Sequence, residues 1–306
     1  MNRKQLTYFL TVCRTQNIQA AANELFISHQ GLSRVLKTLE EELGQPLFLR
    51  SNRGLELTDF ASALIPHVQR LLEDYERIEG VRTLAAQNKA IVTVYSLDHL
   101  LHHFGADFVE AFYAAHPEIT LSVVDTTDAR AWRELERGGC DFALVNGPMD
   151  NTRFEGDALF YSRFCYRVRA DHRLAQKETL TAEDFRGEKL IGKGRAYDCF
   201  RKSVERMLLG QDIEVDIPLE TSDEGLLRDL VERQGWIAAT YDFSVKDYVG
   251  ENTVLRFMDG PEFGQNIYLA RKLDAKMTRA ASAFRAFLLD WVQTKYGSSR
   301  TPTPTK

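Results

Sequence analysis

Apolar residues recur three and four positions apart at the start of the chain, and this period predicts three consecutive helices. The first stripe comprises Leu6, Phe9, Leu10 and Cys13, the second Ala21, Ala22 and Leu25, and the third Leu32, Leu36, Leu39 and Leu43. Ser28 offers an N-cap for the third helix, which Gly44 ends. Because small alanines allow a close approach, the second and third helices are predicted to form a helix-turn-helix.

The side of the third helix that faces away from this stripe is polar. It carries short hydrogen-bonding side chains at its N-terminal end and cations further along: Ser28, His29, Gln30, Ser33, Arg34 and Lys37. In the major groove of double-stranded DNA, amides read adenine and arginine reads guanine. The pattern therefore favours a DNA-reading helix whose N-terminal end enters the groove.

Residues 46–58, PLFLRSNRGLELT, predict a strand, a turn at 52–54 and a returning strand. Arg50 and Arg53 stand at the tip of this hairpin, where they would reach phosphates or a minor groove. We therefore interpret the hairpin as a wing beside the DNA-reading helix.

No turn interrupts residues 58–88, where apolar residues keep alternating spacings of three and four. The positions are Ala61, Leu64, Val68, Leu71, Tyr75, Ile78 and Ala85. Heptad a and d positions sustained in this way predict a coiled-coil helix that holds a dimer. Arg82 interrupts the seam, and Pro66 removes one backbone hydrogen bond, so a bend is expected there. The alternative is a helix that packs on its own domain.

Strand and helix patterns alternate from residue 90 onward. AIVTVYS, EITLSVVD and CDFALVNG predict buried strands, with helical patterns at 98–115 and 129–137 between them. Such alternation predicts a parallel sheet with helices on both faces. The remaining predicted elements are two extended segments within 158–170, strands at KLIGKG, IEVDIPLE, GWIAAT and NIYLARK, and helices at 198–209, 223–233 and 276–295.

Length, charge and cysteine content reduce the number of possible classes of function. The length of 306 residues fits two or three domains, and the formal net charge of -5 argues against coating nucleic acid over the whole surface. Residues 1–53 differ, with seven basic residues against four acidic ones. The four cysteines form no CxxC motif, so no disulfide framework, metal site or cofactor is expected. No apolar run reaches about 18 residues and no signal-peptide core is present, so we expect a cytoplasmic protein without a membrane partner.

Residues 1–65 resemble the winged helix-turn-helix of the LysR-type transcriptional regulators. The residues that carry the resemblance are Ala21, Ala22, Leu25, Ser28, Ser33, Leu39, Glu40, Leu43, Gly44, Leu47, Phe48, Arg50, Leu57 and Thr58. Three positions depart from the family pattern: Asn17 replaces a capping Ser, His29 replaces a Gln that begins the recognition helix, and Ala61 replaces a Gly after the wing. Asn also caps helices, whereas His29 bears on which DNA sequence is read.

The resemblance implies an α+β multidomain fold. A winged helix-turn-helix DNA-binding domain would cover 1–58, a linker and dimerisation helix 59–89, an effector-binding regulatory domain 90–297 and a flexible tail 298–306. The regulatory domain would be a two-lobed α/β domain resembling type 2 periplasmic binding proteins. Lobe I would comprise 90–162 and 267–297, and lobe II 163–266. The implied function is sequence-specific transcriptional regulation by a homodimer or homotetramer that bends DNA and contacts RNA polymerase in response to a small-molecule effector.

A small organic acid or an aromatic metabolite would bind between the lobes, because ligands of open α/β sheets lie beyond the carboxyl ends of strands and near helix N-termini. The residues at these ends are Ser96, Leu97, Thr126, Thr127, Asn146, Gly192, Arg195, Thr221 and Ser222. Ser96 and Thr127 stand at the family's usual effector-contact positions. The alternative role of such hydroxyls is helix capping, and TSDE at 221–224 fits a capping box. Arg195 would add charge specificity if it turned inward.

Two further groups of residues have side chains that can bind metals or respond to oxidation. His99, His102 and His103 lie within one helical turn, but no Asp, Glu or Cys at matching spacing completes a metal site, so a helix face is favoured. Cys199 is similar to a residue of the family's peroxide-sensing branch, which uses a cysteine pair on this lobe. With no second cysteine near it in the sequence, a small apolar core residue is the favoured role.

Two other classes of function stay open. The first is a solute-binding or enzymatic α/β module with a DNA-binding-like arm, although the sequence contains no GxSxG or HExxH motif and no export signal. The second is a non-specific architectural DNA protein, which the acidic net charge disfavours.

Overall fold

A computed structural model describes residues 1–51, 54–86, 89–206, 208, 210, 212–245, 250–260 and 263–297. The side chains of residues 50, 51, 54 and 84–86 lie outside this description, as do Arg53 and the tail at 298–306. The chain divides into two compact units, Met1–Lys89 and Ala90–Lys306.

The first unit consists of four helices and a hairpin. These are α1 Arg3–Thr15, α2 Ile18–Glu24, α3 His29–Leu43, β1 Phe48–Ser51, β2 Gly54–Leu57 and α4 Asp59–Ala86. The side chain of Asn17 accepts a hydrogen bond from the Ala20 amide, and that of Ser28 accepts one from the Gly31 amide, each at 3.0 Å. Gly44 ends α3 in the left-handed region with φ +68°. The three predicted helices, the hairpin and the caps are therefore confirmed.

The stripes of α1, α2 and α3 meet in one core. Leu6, Phe9, Ala21, Leu32 and Leu39 are each at most 1% exposed. The burial of these side chains stabilises the unit, because each apolar side chain removed from water contributes on the order of 1.5–3 kcal/mol.

Only the second half of the predicted coiled-coil seam lies on the surface of its unit. Ala61 and Val68 are buried in the core of α1–α3, and Leu64 packs against them. Further along α4 the apolar residues are exposed: Leu71 by 39%, Tyr75 by 37%, Ile78 by 62% and Val81 by 52%. Pro66 lies inside this continuous helix. The first half of the seam therefore serves as domain core, as in the alternative interpretation.

The second unit is built on one ten-stranded sheet with helices packed against it. Its strands are β3 Ala90–Leu97, β4 Ile119–Thr126, β5 Phe142–Asn146, β6 Phe154–Arg169, β7 Thr179–Leu180, β8 Lys189–Gly192, β9 Asp216–Glu220, β10 Ile237–Tyr241, β11 Thr253–Met258 and β12 Gly264–Lys272. Its helices are α5 Leu100–Phe104, α6 Ala106–Ala115, α7 Asp128–Glu136, α8 Asp198–Phe200, α9 Glu224–Gln234 and α10 Arg279–Tyr296.

Parallel strands form each lobe, and antiparallel strands join the lobes. The main path runs β4-β3-β5-β12-β6-β10-β8-β9, and β11 pairs with β6 and β7. β3 is parallel to β4 and β5, and β8 is parallel to β9 and β10. β6 pairs antiparallel with β12 over 154–163 and with β10 over 164–167, so it passes from one lobe into the other. The prediction of an entirely parallel sheet was therefore wrong for the strands that cross.

Three predicted elements differ in the structure. Residues 158–170 do not form two extended segments, because β6 is one strand of 16 residues whose side chains are buried on both sides of the crossing. The helix predicted at 98–115 breaks at Gly105, which has φ +86°. In the segment 198–209, α8 continues as a π-helical turn at Arg201–Arg206, and Leu209 lies outside the described residues.

Candidate functional site

The polar face predicted for α3 is present on the surface of the first unit. Ser28, His29, Gln30, Arg34 and Lys37 are exposed. The only ion pair of Lys37 with a described residue is with Glu41 at 3.7 Å, and both side chains are more than 60% exposed, so its charge is available to a partner. The backbone amides of the first turn of α3 point out of the helix at its N-terminal end. They favour an anion such as a phosphate there.

Ser33 differs from its neighbours on this face. Its side chain is half-buried, and its Oγ is enclosed without a hydrogen-bond partner among the described residues. The hydroxyl therefore needs a rotation about χ1 to reach a base. Of the predicted DNA contacts on α3, Ser33 is the one that the structure does not present directly.

The base of the wing is fixed to α3 and α4. The carboxylate of Glu40 accepts hydrogen bonds from the amides of Leu47 at 2.7 Å and Phe48 at 3.3 Å. The Thr58 hydroxyl donates to Pro46 O at 2.9 Å and accepts from the Ala61 amide at 3.0 Å, which caps α4. These bonds hold the hairpin in place beside α3.

The two remaining predicted DNA contacts are Arg50 and Arg53 of the wing. The β1–β2 register pairs Arg50 with Leu55 and Ser51 with Gly54, so Ser51 and Gly54 are the last paired residues of the hairpin. The Arg50 side chain and the whole of Arg53 fall outside the described residues.

In the second unit, the carboxyl ends of β3, β4 and β5 lie side by side. Ser96 pairs with Asp125 of β4 and Leu144 of β5, so the strand ends bring Ser96, Thr126 and Asn146 to one edge of lobe I. All three side chains are buried, at 0%, 7% and 1% exposure. Ser96 Oγ donates to the backbone oxygen of Leu97 at 3.0 Å. The Leu97 side chain belongs to the lobe's apolar core, so only its backbone faces this edge.

Thr127 begins α7 without capping it by its side chain. Its hydroxyl is therefore not occupied by the capping role that was the alternative to ligand binding. The next residue, Asp128, is 3% exposed. One of its carboxylate oxygens, Oδ1, has no hydrogen-bond partner within the described part of the chain. Burial raises the pKa of Asp128, and the hydrogen bond that it accepts from the Asp198 amide offsets part of this rise.

Asn146 lies where the two lobes meet. Its Nδ2 donates to the hydroxyl of Tyr241 in lobe II, and the amide of Gln265 donates to the same hydroxyl. The Oδ1 atom of Asn146 is buried and has no partner among the described residues. A free acceptor at the strand end is available to a ligand donor.

The predicted residues on lobe II divide into two groups. Gly192 lies at the end of β8, where a Cβ would come within 2.5 Å of Ala239 O, so close strand packing accounts for the glycine. Arg195 turns outward: its side chain is 59% exposed and pairs with Glu220 and Glu205. The inward orientation that would add charge specificity is therefore absent. Thr221 and Ser222 are half-buried.

The capping box predicted at 221–224 is wrong. Asp223 is the N-cap of α9 and accepts from the Leu226 amide at 3.0 Å, while Thr221 Oγ1 accepts from the Asp223 amide at 3.2 Å. Glu224 is drawn into the lobe instead by Arg167, whose guanidinium donates to its carboxylate at 3.1 Å. Thr240 also donates to Glu224, at 2.7 Å. Sequence reasoning missed this buried pair because its partners lie 57 residues apart.

Lobe II supplies a buried cation that sequence reasoning also missed. Lys193 is 5% exposed, and its Nζ lies 3.4 Å from the backbone oxygen of Asp98 in lobe I. The ammonium lies 5.4 Å from the centre of the Tyr197 ring. Lys193 lies between Gly192 and Arg195 in the sequence. Because of its contact with Asp98, Lys193 is the basic residue of this segment that faces lobe I.

Several further hydrogen bonds cross from lobe I to lobe II. The Tyr197 hydroxyl donates to the Asp98 carboxylate, and the Asp198 amide donates to Asp128 Oδ2 at 3.0 Å. Lys202 Nζ donates to Gly147 O at 3.2 Å. We call these three bonds the cross-lobe bonds. They hold the strand ends of lobe I against the segment that follows β8.

His103 and Cys199 have structural roles. The His103 ring is 3% exposed and stacks on Tyr296 with centroids 5.1 Å apart. Among the described residues, no group of three or more ligating side chains is placed to hold a metal ion. Cys199 is a free thiol buried in the apolar core, and burial raises its pKa to about 12, so it is protonated and unreactive at neutral pH. The favoured role of Cys199 as a core residue is confirmed.

Fold and sites together define a class of protein: a helix-turn-helix unit joined in sequence to a two-lobed ligand-binding unit. Two family models match the chain. Residues 3–62 match "Bacterial regulatory helix-turn-helix protein, lysR family", and residues 85–293 match "LysR substrate binding domain". The second match covers more than half of the chain, so this chain belongs to the LysR family of transcriptional regulators, and the alternative of an enzyme is excluded.

Relatives span most of the chain. NocR of Agrobacterium fabrum, a regulatory protein, is 26% identical over 291 residues, which are 94% of this chain and 95% of NocR. The HTH-type transcriptional regulator YybE of Bacillus subtilis is 27% identical over 72% of this chain and 75% of its own. The crystal structure of CbnR, a LysR family transcriptional regulator, shares the fold with a TM-score of 0.72 at 20% identity, covering 95% of this chain and 99% of CbnR. No helix in the described part of the chain has the length and apolar character of a membrane span.

Proposed function

We propose that this regulator reads its DNA site through Ser28, His29, Gln30, Ser33, Arg34 and Lys37 on α3, with Arg50 and Arg53 of the wing on the flanking backbone. The observation that carries the proposal is the exposed polar N-terminal end of α3, capped by Ser28 and followed by Arg34 and Lys37. Side chains of this kind at this end match the donor and acceptor pattern of the major groove. CbnR, which has a similar fold, has been crystallised with its target DNA, which supports this mode of binding.

We propose that the effector binds between the lobes, against Ser96, Thr126, Thr127 and Asn146 of lobe I. The unused Thr127 hydroxyl and the free Oδ1 of Asn146 support this assignment. The backbone of Leu97 and Gly192 and the hydroxyls of Thr221 and Ser222 would complete the site. Arg195 is not part of the proposed effector site, because it forms ion pairs with Glu220 and Glu205.

The effector class we propose is a small organic acid or an aromatic metabolite. Lys193 supports an acid, because a buried ammonium binds a carboxylate strongly in a site sheltered from water. Asp98 and Asp125 lie on the same edge, so the acid would need to place its carboxylate at Lys193 rather than beside them.

Regulation then follows from lobe closure. The cross-lobe bonds define one arrangement of the lobes, and an effector that binds this arrangement better than a more open one shifts the population towards it. In a dimer or tetramer, such a shift would change the spacing of the DNA-binding units and their contact with RNA polymerase.

The oligomer we propose is a dimer through α4, assembled further into a tetramer in the cytoplasm. Leu71, Tyr75, Ile78 and Val81 support the dimer, because they form an exposed apolar stripe at spacings of three and four along the second half of α4.

Selection of bound DNA by the purified full-length protein tests the proposed function. A random-sequence duplex library is incubated with the protein at fixed salt, because salt sets the non-specific background. We expect enrichment of one interrupted palindrome, and we expect Arg34→Ala to enrich it less strongly. A library that stays random after repeated rounds with a folded protein would show that α3 does not read sequence.

A further inference from the structure

Phe26, in the turn between α2 and α3, has a backbone conformation that glycine normally supplies. Its φ is +55°, in the left-handed region. The Phe26 amide donates to Asn23 O at 3.2 Å, and the Ile27 amide donates to Ala22 O at 3.0 Å. These two bonds form a Schellman motif with Phe26 at the position where glycine avoids the steric cost of a Cβ. The side chain is therefore retained against local strain.

The Phe26 ring gains nothing from the fold in return. It is 94% exposed, while its neighbours Leu25 and Ile27 pack against the core of the unit. A large aromatic side chain in water forgoes the burial that normally stabilises it. Strain and exposure coincide at one residue, and this combination is characteristic of a residue kept for binding.

The position of Phe26 indicates the partner. It lies two residues before Ser28, whose side chain caps α3, and next along the chain are the exposed His29 and Gln30. The ring is thus continuous in sequence with the end of α3 that the proposed function places in the major groove. Thymine presents a methyl group there, and aromatic side chains pack on it.

We propose that Phe26 is a DNA-contacting residue whose ring packs on a thymine methyl group at the edge of the site read by α3. The proposal rests on the proposed function, since it requires α3 to lie in the groove. It adds an apolar contact to a set that is otherwise polar and cationic, and so favours thymine at one position of the operator.

The test compares the full-length wild type with Phe26→Gly and Phe26→Asn on the selected operator. Both replacements tolerate the left-handed region, so we expect the melting temperature to hold or rise. Operator affinity should fall by about tenfold, as expected for losing the burial of a phenylalanine ring. Leu273→Ala, which truncates a 43% exposed apolar residue of the second unit, should leave operator affinity unchanged.

Operators with deoxyuridine in place of each thymine locate the contact, because deoxyuridine lacks only the methyl group. We expect one substitution to weaken wild-type binding and to leave Phe26→Gly unaffected. A loss of affinity for Phe26→Gly that is the same with every operator would overturn the contact with a thymine methyl group. Equal operator affinity of Phe26→Gly and the wild type would overturn the proposal while the proposed function stands. Failure of the wild type to prefer the operator would instead overturn the proposed function.

Discussion

The hydroxyl of Tyr197 in lobe II donates a hydrogen bond to the carboxylate of Asp98 in lobe I. Burial raises the pKa of Tyr197, and the Asp98 carboxylate raises it further, so the hydroxyl is protonated and donates at all physiological pH values. Lys193 approaches the backbone oxygen of the same Asp98. The end of β3 and the segment after β8 are thereby joined at the point where we place the effector.

Tyr197→Phe should loosen this junction without disturbing either lobe. Loss of a hydrogen bond to a charged group costs on the order of 1.5 kcal/mol. The Asp198 amide donates across the cleft to Asp128, so its hydrogen exchange reports lobe opening. We expect that amide to exchange about tenfold faster in the variant, measured by mass spectrometry on the full-length protein.

Tyr113→Phe is the matched control, because Tyr113 is a 61% exposed tyrosine on α6, away from the cleft. In Tyr113→Phe the Asp198 amide should exchange its hydrogen at the wild-type rate. Equal exchange in Tyr197→Phe as well would mean that the tyrosine does not hold the lobes together.

Local patterns were predictable because they depend on nearby residues. The stripes of α1–α3, the caps at Asn17 and Ser28 and the end of α3 at Gly44 all depend on side chains within a few positions. β6 was not predictable as one strand, because its partners β10 and β12 lie far along the chain: Ala238 pairs with Arg167, and Gly264 pairs with Arg163. Local sequence does not show where such a strand passes between lobes.

The candidate sites follow the same division. Hydroxyls and the amide at strand ends could be found from the sequence, because parallel strands align their carboxyl ends. The choice between Lys193 and Arg195 could not, since it depends on Glu220, which lies 25 residues away and binds Arg195. Similarly, Glu224 fits the pattern of a capping residue, but the distant Arg167 binds it in the interior.

Arg34→Ala should weaken binding to the selected operator by about 1 to 3 kcal/mol if Arg34 contacts guanine through two hydrogen bonds. Competition with non-specific DNA separates this effect from a loss of general electrostatic attraction, because a phosphate contact weakens both kinds of binding. Arg186→Ala, at an exposed arginine of the second unit, is the control and should bind as the wild type does. Unchanged specificity in Arg34→Ala would remove Arg34 from the base-reading set.

Glu224→Gln should strongly destabilise the effector-binding unit. Both side chains of the Arg167–Glu224 pair are 0% exposed, so the replacement leaves a buried guanidinium without a counter-charge, at a cost of about 3 kcal/mol. The glutamine oxygen can still accept from Thr240. Adding Arg167→Met should recover most of the loss, because the double variant buries no charge.

These changes in the free energy of unfolding are measured from the urea-induced unfolding transition of the effector-binding unit. Glu183→Gln is the control: it removes one partner of the Arg186–Glu183 surface pair, whose side chains are 50% and 67% exposed, and should leave the free energy of unfolding nearly unchanged. If the double variant were as unstable as Glu224→Gln, packing rather than charge would explain the loss.

Asp128 should make the stability of the same unit depend on pH. Burial raises its pKa above the usual 3.8, so the folded state holds the proton more tightly than the unfolded state. The contribution of this group to stability is therefore full below pH 3.8 and is lost as the pH rises through the folded-state pKa. Asp128→Asn removes the ionisation and should stabilise the unit at neutral pH.

The difference in unfolding free energy between Asp128→Asn and the wild type should grow from pH 4 to pH 7. An Asn side chain keeps an oxygen that accepts from the Asp198 amide, so the cross-lobe bond is retained. Asp274→Asn, at an exposed position, should show no such trend. A difference that stays constant with pH would assign the effect to packing.

Ile78→Glu should weaken the dimer. Ile78 is 62% exposed and lies between Tyr75 and Val81 in the apolar stripe of α4, so a carboxylate there would face its own copy across a two-fold axis. We expect sedimentation to show a shift towards smaller species, and operator affinity to fall because two half-sites are no longer held together. Glu76→Gln, at an exposed polar position two residues away, should leave the assembly unchanged. An intact dimer of Ile78→Glu would mean that the stripe does not form the interface.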